Sequence, residues 1–184
     1  MPKARGKPAA KDIVARLERL EEERRVNEVL RKYQFSIDTG RLQDVLSLWT
    51  DDGVYELPMR GLRVEGKENL RKYYSRGLPS RSNVMHHHTN LAVSVKGNRA
   101  RADGTWIGTY TVKGVHYFES GWYNPRTLRK ESGQWKVEYM RLIHLFSCNI
   151  KDPTWHNILE PTGEGKENND AYKYLDGIFD YSKI

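Results

Sequence analysis

Three of the chain's six histidines stand side by side as His86, His87 and His88, in the segment VMHHHTNLAVSV. Imidazole changes its proton occupancy near neutrality and is also a common metal ligand, so the run could be a base or a metal site. The segment reads as a strand, and successive strand side chains leave on opposite faces. His86, His88 and Asn90 then share one face, while His87, Thr89 and Leu91 share the other. Three adjacent histidines therefore cannot converge on one ion. The pair at i, i+2 would need a third ligand such as Glu119, His116 or His144, and no close metal-ligand spacing accompanies it. The expectation is no metal. A purification tag does not fit an internal run inside an alternating strand. What remains is a set of hydrogen-bonded strand residues, or one working base with structural neighbours.

The elements that must position these residues follow from periodicity and turn chemistry. Residues 11–38 carry Ile13, Leu17, Leu20, Val26, Leu30, Tyr33 and Ile37 at steps that predict one long helix, stopped by Asp38-Thr39-Gly40. A short helix is expected over 41–49 with Leu42, Val45, Leu46 and Trp49 as its stripe. A turn follows at 50–53, then a strand at 54–59 halted by Pro58. A third helix covers 67–76, entered through Gly66. Four strands follow at 84–96, 99–112, 115–130 and 134–147, punctuated by Lys96-Gly97-Asn98, Val112-Lys113-Gly114 and Glu131-Ser132-Gly133. Helices first and a strongly curved antiparallel sheet afterwards predict an α+β arrangement with helices on one face.

The 184 residues suit one domain flanked by tails: a flexible basic arm at 1–10, the body at 11–147 and a C-terminal extension at 148–184 that docks on the body or on a neighbouring subunit. The net charge is +7 with a pI near 9.4, but Lys and Arg alternate with acids over most of the chain, so nucleic acid is not the expected partner. No apolar run reaches the roughly 18–20 residues of a membrane span, and the N-terminus lacks the apolar core of a signal peptide. The single cysteine, Cys148, excludes an internal disulfide framework. A cytoplasmic protein is expected.

Three segments carry a family likeness. RKYQFSIDTGRLQDVLSLWTDDGVYEL at 31–57 resembles the opening of the SnoaL-like group in the nuclear-transport-factor-2-like superfamily. MHHHTNLAVSVKGNRARADG at 85–104 is similar to its His-x-x-x-Asn strand, and GWYNPRTLRKESGQWKVEYMRL at 121–142 to its final hairpin. The likeness spans about 15–147. It implies a cone-shaped α+β barrel with a mixed or antiparallel sheet wrapped around the N-terminal helices and enclosing a pocket. Bile-acid 7α-dehydratase, scytalone dehydratase and hexachlorocyclohexane dehydrochlorinase lie in this superfamily. The pattern of the first and third, an Asp at the end of the first helix and a His on a later strand, falls on Asp38 and His86; the Tyr that the bile-acid dehydratase places five residues before its Asp falls on Tyr33, and scytalone dehydratase uses a related Tyr/Asp/His set. The dehydrochlorinase's pocket Arg in the final hairpin would have Arg129 or Arg126 as its counterpart.

That resemblance implies a cofactor-independent lyase. Asp38 would fix the tautomer of His86, His86 would take a proton from carbon, and Tyr33 would donate to a leaving or developing oxygen. An isomerase, a cyclase or a non-catalytic assembly domain like the small subunit of a ring-hydroxylating dioxygenase are alternatives on the same fold. A five-residue helical step turns about 140° net, so Tyr33 and Asp38 border one pocket only if the helix end opens into it. Substrate-binding candidates are His88, Asn90, Trp49, Tyr55, Trp106, Tyr117, Arg129 and Arg141. The aromatic supply favours an aromatic or polycyclic substrate. No nucleotide-binding glycine motif occurs, and no cofactor is expected. Such folds associate through the outer face of the sheet, so a homodimer or homotrimer is expected.

Overall fold

The structure, a computed structural model, describes residues 10–149 and the backbone of residues 152–156. The expected arm at 1–10 and the extension at 148–184 fall almost wholly outside the described residues. Helix α1 (Ala10–Asp38) is followed by α2 (Leu42–Ser47), β1 (Trp49–Leu57), a 3₁₀ turn (Pro58–Arg60), β2 (Leu62–Glu65) and α3 (Lys67–Gly77). Four long strands complete the body: β3 (Ser82–Lys96), β4 (Arg99–Val112), β5 (Val115–Glu131) and β6 (Gln134–Asn149). A short β7 (Asp152–His156) pairs with β6.

The two halves of α1 behave differently. Val26, Leu30 and Tyr33 are buried, whereas Ile13, Val14, Leu17 and Leu20 are exposed. Only the C-terminal half docks on the sheet, and that docking fixes where Asp38 emerges. The helix stops because Gly40 takes φ +69, a left-handed conformation that costs glycine nothing. The three hairpin turns between β3 and β6 follow the same chemistry. Gly97, Lys113-Gly114 and Ser132-Gly133 adopt positive φ, as tight two-residue connections between twisted strands require.

The sheet order is β2-β1-β6-β5-β4-β3, antiparallel throughout except for the parallel β1–β6 pair. The path has two ends, so the sheet is mixed and open rather than a closed barrel. The hydrophobic centre lies between this sheet and the helices. It includes Leu30, Trp49, Leu70, Leu128, Val137 and Met140, all essentially inaccessible. Fully burying an aliphatic side chain of this size contributes about 1.5–3 kcal/mol. No helix among the described residues is long and apolar enough to cross a membrane.

Two local expectations are corrected. Trp49 was expected on the second helix and 50–53 in a turn, yet both belong to β1. The Val137 N–H donates to the Leu48 carbonyl at 2.8 Å, and Trp49 lies opposite Val137, so pairing with β6 captures the chain before the helix would end. The surplus residues between Trp49 and Val54 form a bulge. Gly53 permits it, since a Cβ there would stand 2.7 Å from the Trp49 ring. The second correction is β2, a four-residue strand too short to be read from the sequence; Leu62 and Val64 turn inward, Arg63 and Glu65 are exposed, and the turn through Gly61 pairs it with β1.

Candidate active site

His86 is held by Asp38 at two points. Its Nδ1 lies 2.6 Å from Asp38 Oδ1, and its backbone N–H donates to Asp38 Oδ2 at 3.1 Å. Gln34 Nε2 also donates to Asp38 Oδ1, at 3.3 Å. A carboxylate on the last residue of a helix faces the negative end of the helix dipole, an unfavourable place. These three donors offset that cost, and they tie the end of α1 to β3 across 48 residues of sequence. With Asp38 accepting from Nδ1–H, the lone pair of His86 is on Nε2.

His86 lines a cavity of about 80 Å³ between α1, α3 and the sheet. Tyr33 and Ile37 come from α1, Tyr55 and Leu57 from β1, and Tyr73 and Tyr74 from α3. Trp106, Tyr123 and His144 come from β4, β5 and β6. In a flat sheet β1 and β3 would lie roughly 19 Å apart, four strand spacings. Their joint presence on one small cavity requires the sheet to curl around it. The volume suits several waters or one compact ring system.

The lining is rich in phenols. Tyr33 and Tyr74 share a buried hydrogen bond of 2.9 Å between their hydroxyls. One hydroxyl must donate to the other, which leaves one phenolic proton available to a ligand. Burial raises Tyr33, Tyr55 and Tyr74 well above the ordinary tyrosine range, with neighbouring phenols adding to it, so all three stay neutral donors. Asp38 itself is not on the cavity wall; it stands behind the imidazole. The helical angle between Tyr33 and Asp38 is therefore no obstacle.

Glycine makes the site possible at one further point. His86 lies directly opposite Gly108 on β4. A Cβ on Gly108 would be 2.8 Å from His86 Cδ2 and 2.9 Å from the Trp106 ring. The bare backbone is the floor on which both rings rest.

Beyond Trp106, the lining contains a second carboxylate and imidazole. His144 Nε2 lies 3.4 Å from Glu119 Oε2, and the Tyr110 hydroxyl donates to Glu119 Oε1 at 2.7 Å. Arg60 Nη2 lies 3.7 Å from the same oxygen. Burial of Glu119 would raise its pKa, but hydrogen bonding and charge from His144, then Tyr110 and Arg60, hold it down to about 2.

The remaining sequence candidates are dispersed. His88 shares the inward face but not the cavity wall. Its Nδ1 accepts from Arg126 Nη1 at 3.1 Å, and its ring packs on Tyr123. Burial, then the charge of Arg126, pushes its pKa down to about 2, so it stays neutral. Asn90 does not share that face. A bulge between Thr89 and Ala92 gives Asn90 a φ of +49, exposes it, and shifts the inward positions from 84, 86 and 88 to 93 and 95. Trp49 is wholly buried against Tyr33 and Tyr55. Tyr55 and Trp106 do line the cavity. Tyr117 stacks on Tyr110 outside it. Arg129 grips Asp52 through two bonds and Glu131 through two more, and Arg141 donates to Glu56, both away from the cavity. Arg126 is the buried arginine, under the Tyr123 ring. Among the described residues no three His, Cys, Asp or Glu side chains gather as a metal set would.

Sequence reasoning missed Tyr74, the partner of Tyr33, and Gly108. A lone glycine inside a strand pattern was the available signal for the second. Glu119 and His144 enter the sequence reading only as third ligands for a metal.

The comparisons agree with this architecture. Residues 18–141 match the SnoaL-like domain family. No curated protein sequence matches the chain. Among solved structures, a Novosphingobium aromaticivorans protein provisionally named an aromatic ring hydroxylase is 24% identical with a TM-score of 0.66, covering 73% of this chain and 96% of its own. A second protein of that organism, provisionally named a scytalone dehydratase, is 17% identical with a TM-score of 0.66, over 80% and 97%. A type 2 hexachlorocyclohexane dehydrochlorinase is 16% identical with a TM-score of 0.66, over 73% and 92%. At these identities the likeness establishes the shared fold. With the family match extending over two thirds of its length, the chain belongs to the SnoaL-like domain family.

Proposed function

We propose that the chain is a cofactor-independent lyase that removes a proton from carbon in a small cyclic molecule and expels a group from the neighbouring carbon. The observation that carries this is the Asp38–His86 contact of 2.6 Å at a cavity wall, doubled by the backbone N–H of His86 on the same carboxylate. The clamp leaves Nε2 as the base. The imidazolium that forms is stabilised by the carboxylate behind it. A phenolic proton from the Tyr33–Tyr74 pair supports negative charge developing on a carbonyl oxygen of the substrate. Asp38, Tyr33 and His86 thereby act as orienting group, electrophile and base. Neighbours provisionally named for dehydration and named for dehydrochlorination support the same class of chemistry. The aromatic walls and the size of the cavity favour one or two fused rings over a larger polycycle.

The test uses the purified full chain with mono- and bicyclic β-hydroxy ketones. Loss of water is followed by mass, and the conjugated product by absorbance. His86→Ala should reduce turnover by about 10²–10⁴-fold with unchanged circular dichroism. Turnover without loss of mass would mark an isomerase working with the same base. Wild-type activity in His86→Ala would refute the assignment.

A further inference from the structure

Arg81 stands in the connection between α3 and β3 and lines the same cavity as His86. It is half-buried, and its guanidinium lies over the Tyr110 ring, 4.6 Å from the centroid. That ring is its partner; among the described residues no carboxylate comes within ion-pair reach of it. A guanidinium keeps its charge in a protein, and drawing it in from water without an anion is costly. The other arginines withdrawn from the surface are already engaged. Carboxylates hold Arg71, Arg101, Arg129 and Arg141. Arg126 is 0% exposed and donates to the Ala102 carbonyl and to His88 Nδ1, so no ligand can meet it.

The charge of Arg81 is felt inside the cavity. Burial raises Tyr55, Tyr73 and Tyr123, all on the lining, and Arg81 acts against that rise at each of them. Arg60 stands beside it. Its Nη2 lies 3.7 Å from Glu119 Oε1, the oxygen that accepts from the Tyr110 hydroxyl, so one arginine meets the ring of Tyr110 and the other the acceptor of its hydroxyl. One carboxylate cannot match two guanidinium groups, and Glu119 is already shared by Tyr110, His144 and Arg60. Both arginines also line a wider groove of about 590 Å³ next to the cavity, so they stand where the one gives onto the other. The groove adds Arg63, Lys72 and Arg76, against the single acid Glu65. An excess of cations along such a cleft draws anions to it.

We propose that Arg81, seconded by Arg60, binds an acidic group carried by the cyclic substrate, so that the site takes ring carboxylates or ring phosphates in preference to neutral rings. Either group matches the flat guanidinium fork, which offers it two parallel N–H donors. On the lyase reading, on which the word substrate rests, the bound anion belongs to the molecule that His86 deprotonates. Arg81 is then a binding and specificity residue, and the aromatic lining holds the ring while the arginine holds its charge.

The experiment is calorimetric titration of the full chain at neutral pH and low salt. 2-Naphthoate and 2-naphthyl phosphate are compared with 2-naphthamide, which offers the same ring without charge. At least one anion should bind about 10-fold or more tightly than the amide, and the tighter of the two identifies the acidic group. Arg81→Gln should abolish that preference with little change in affinity for the amide. Arg71→Gln removes the same charge from α3 outside both linings and should keep the preference in full. Circular dichroism checks each fold, and should Arg81→Gln unfold, Arg81→Met, which keeps the apolar stem on Tyr110, decides in its place. No preference for either anion in the wild type, a preference that survives loss of the Arg81 charge, or one that falls as far in Arg71→Gln would overturn the proposal. None of these measurements needs turnover. A wild type that prefers the anion yet eliminates nothing would refute the lyase reading alone, and one that eliminates yet binds acid and amide equally would refute the anion site alone.

Discussion

Gly108→Ala replaces a hydrogen with a methyl group at the floor of the cavity, and the geometry makes its effect calculable. The new Cβ would meet His86 Cδ2 at 2.8 Å, the Trp106 ring at 2.9 Å and His86 Nε2 at 3.2 Å. Carbon atoms rest comfortably at about 3.5–4.0 Å, so both contacts must open by roughly 0.6–0.7 Å or more. Neither ring is free to retreat. Trp106 is 2% exposed, and His86 is pinned through both its ring and its backbone to Asp38. Overpacking of this kind costs about 1–3 kcal/mol. At roughly 2–4 °C per kcal/mol for a chain of this size, Tm should fall by about 3–10 °C. Displacement of a base by most of an ångström costs on the order of 10–100-fold in rate. Thermal unfolding by circular dichroism, with turnover of a bicyclic β-hydroxy ketone, measures both. Thr109→Ala on the adjacent residue of β4 serves as control. If Gly108→Ala keeps its Tm within 1 °C and its turnover within twofold, the backbone floor is not what seats His86, and the account of the site is wrong.

Asp38→Asn should keep the fold yet lose at least about 100-fold in turnover, because an amide cannot stabilise the imidazolium; equal rates for Asp38→Asn and wild type would show that the carboxylate only ties the end of α1 to β3. Tyr74→Phe should cost about 1 kcal/mol in urea unfolding, since the Tyr33 hydroxyl loses its buried partner. Acid should destabilise the chain in two stages. His88 is held down to about 2 by burial and Arg126, so below about 6.5 the unfolded chain gains a proton that the folded one refuses. Stability then falls from pH 6.5 downward, and His88→Gln should flatten that first stage. Glu119 is held down to about 2 by its partners, so its contribution is complete above about 4.5 and is lost as pH falls towards 2. The total is on the order of 3 kcal/mol, absent from Glu119→Gln. Urea midpoints at pH 7, 5.5 and 3.5 separate the stages; a flat profile would refute both.

Much of the framework was legible locally. Strands β3 to β6 and the turns between them follow from alternation and from Gly97, Gly114 and Gly133, since a tight turn needs positive φ that few residues adopt. The facing of His86 against His87 followed from strand periodicity alone, and the resemblance pointed to Asp38 and Tyr33 as the groups to look for. What misled was any feature set by pairing between distant segments. Trp49 reads as the end of a helical stripe, and only the β6 backbone beside it makes it a strand residue. Asn90 reads as a face-mate of His86, and only the bulge before Ala92 turns it outward.

The sequence by itself determined which residues could be bases, where the chain turns and, away from bulges, which face of a strand is inward, because those properties depend on a residue and its near neighbours. Tertiary structure alone decided that Asp38 meets His86 across 48 positions, that Gly108 is the floor beneath that imidazole, and that Glu119 meets His144 on the same cavity lining. Each of these contacts depends on strand register and on how α1 docks, and a shift of one residue in either would turn the same side chains to the other face.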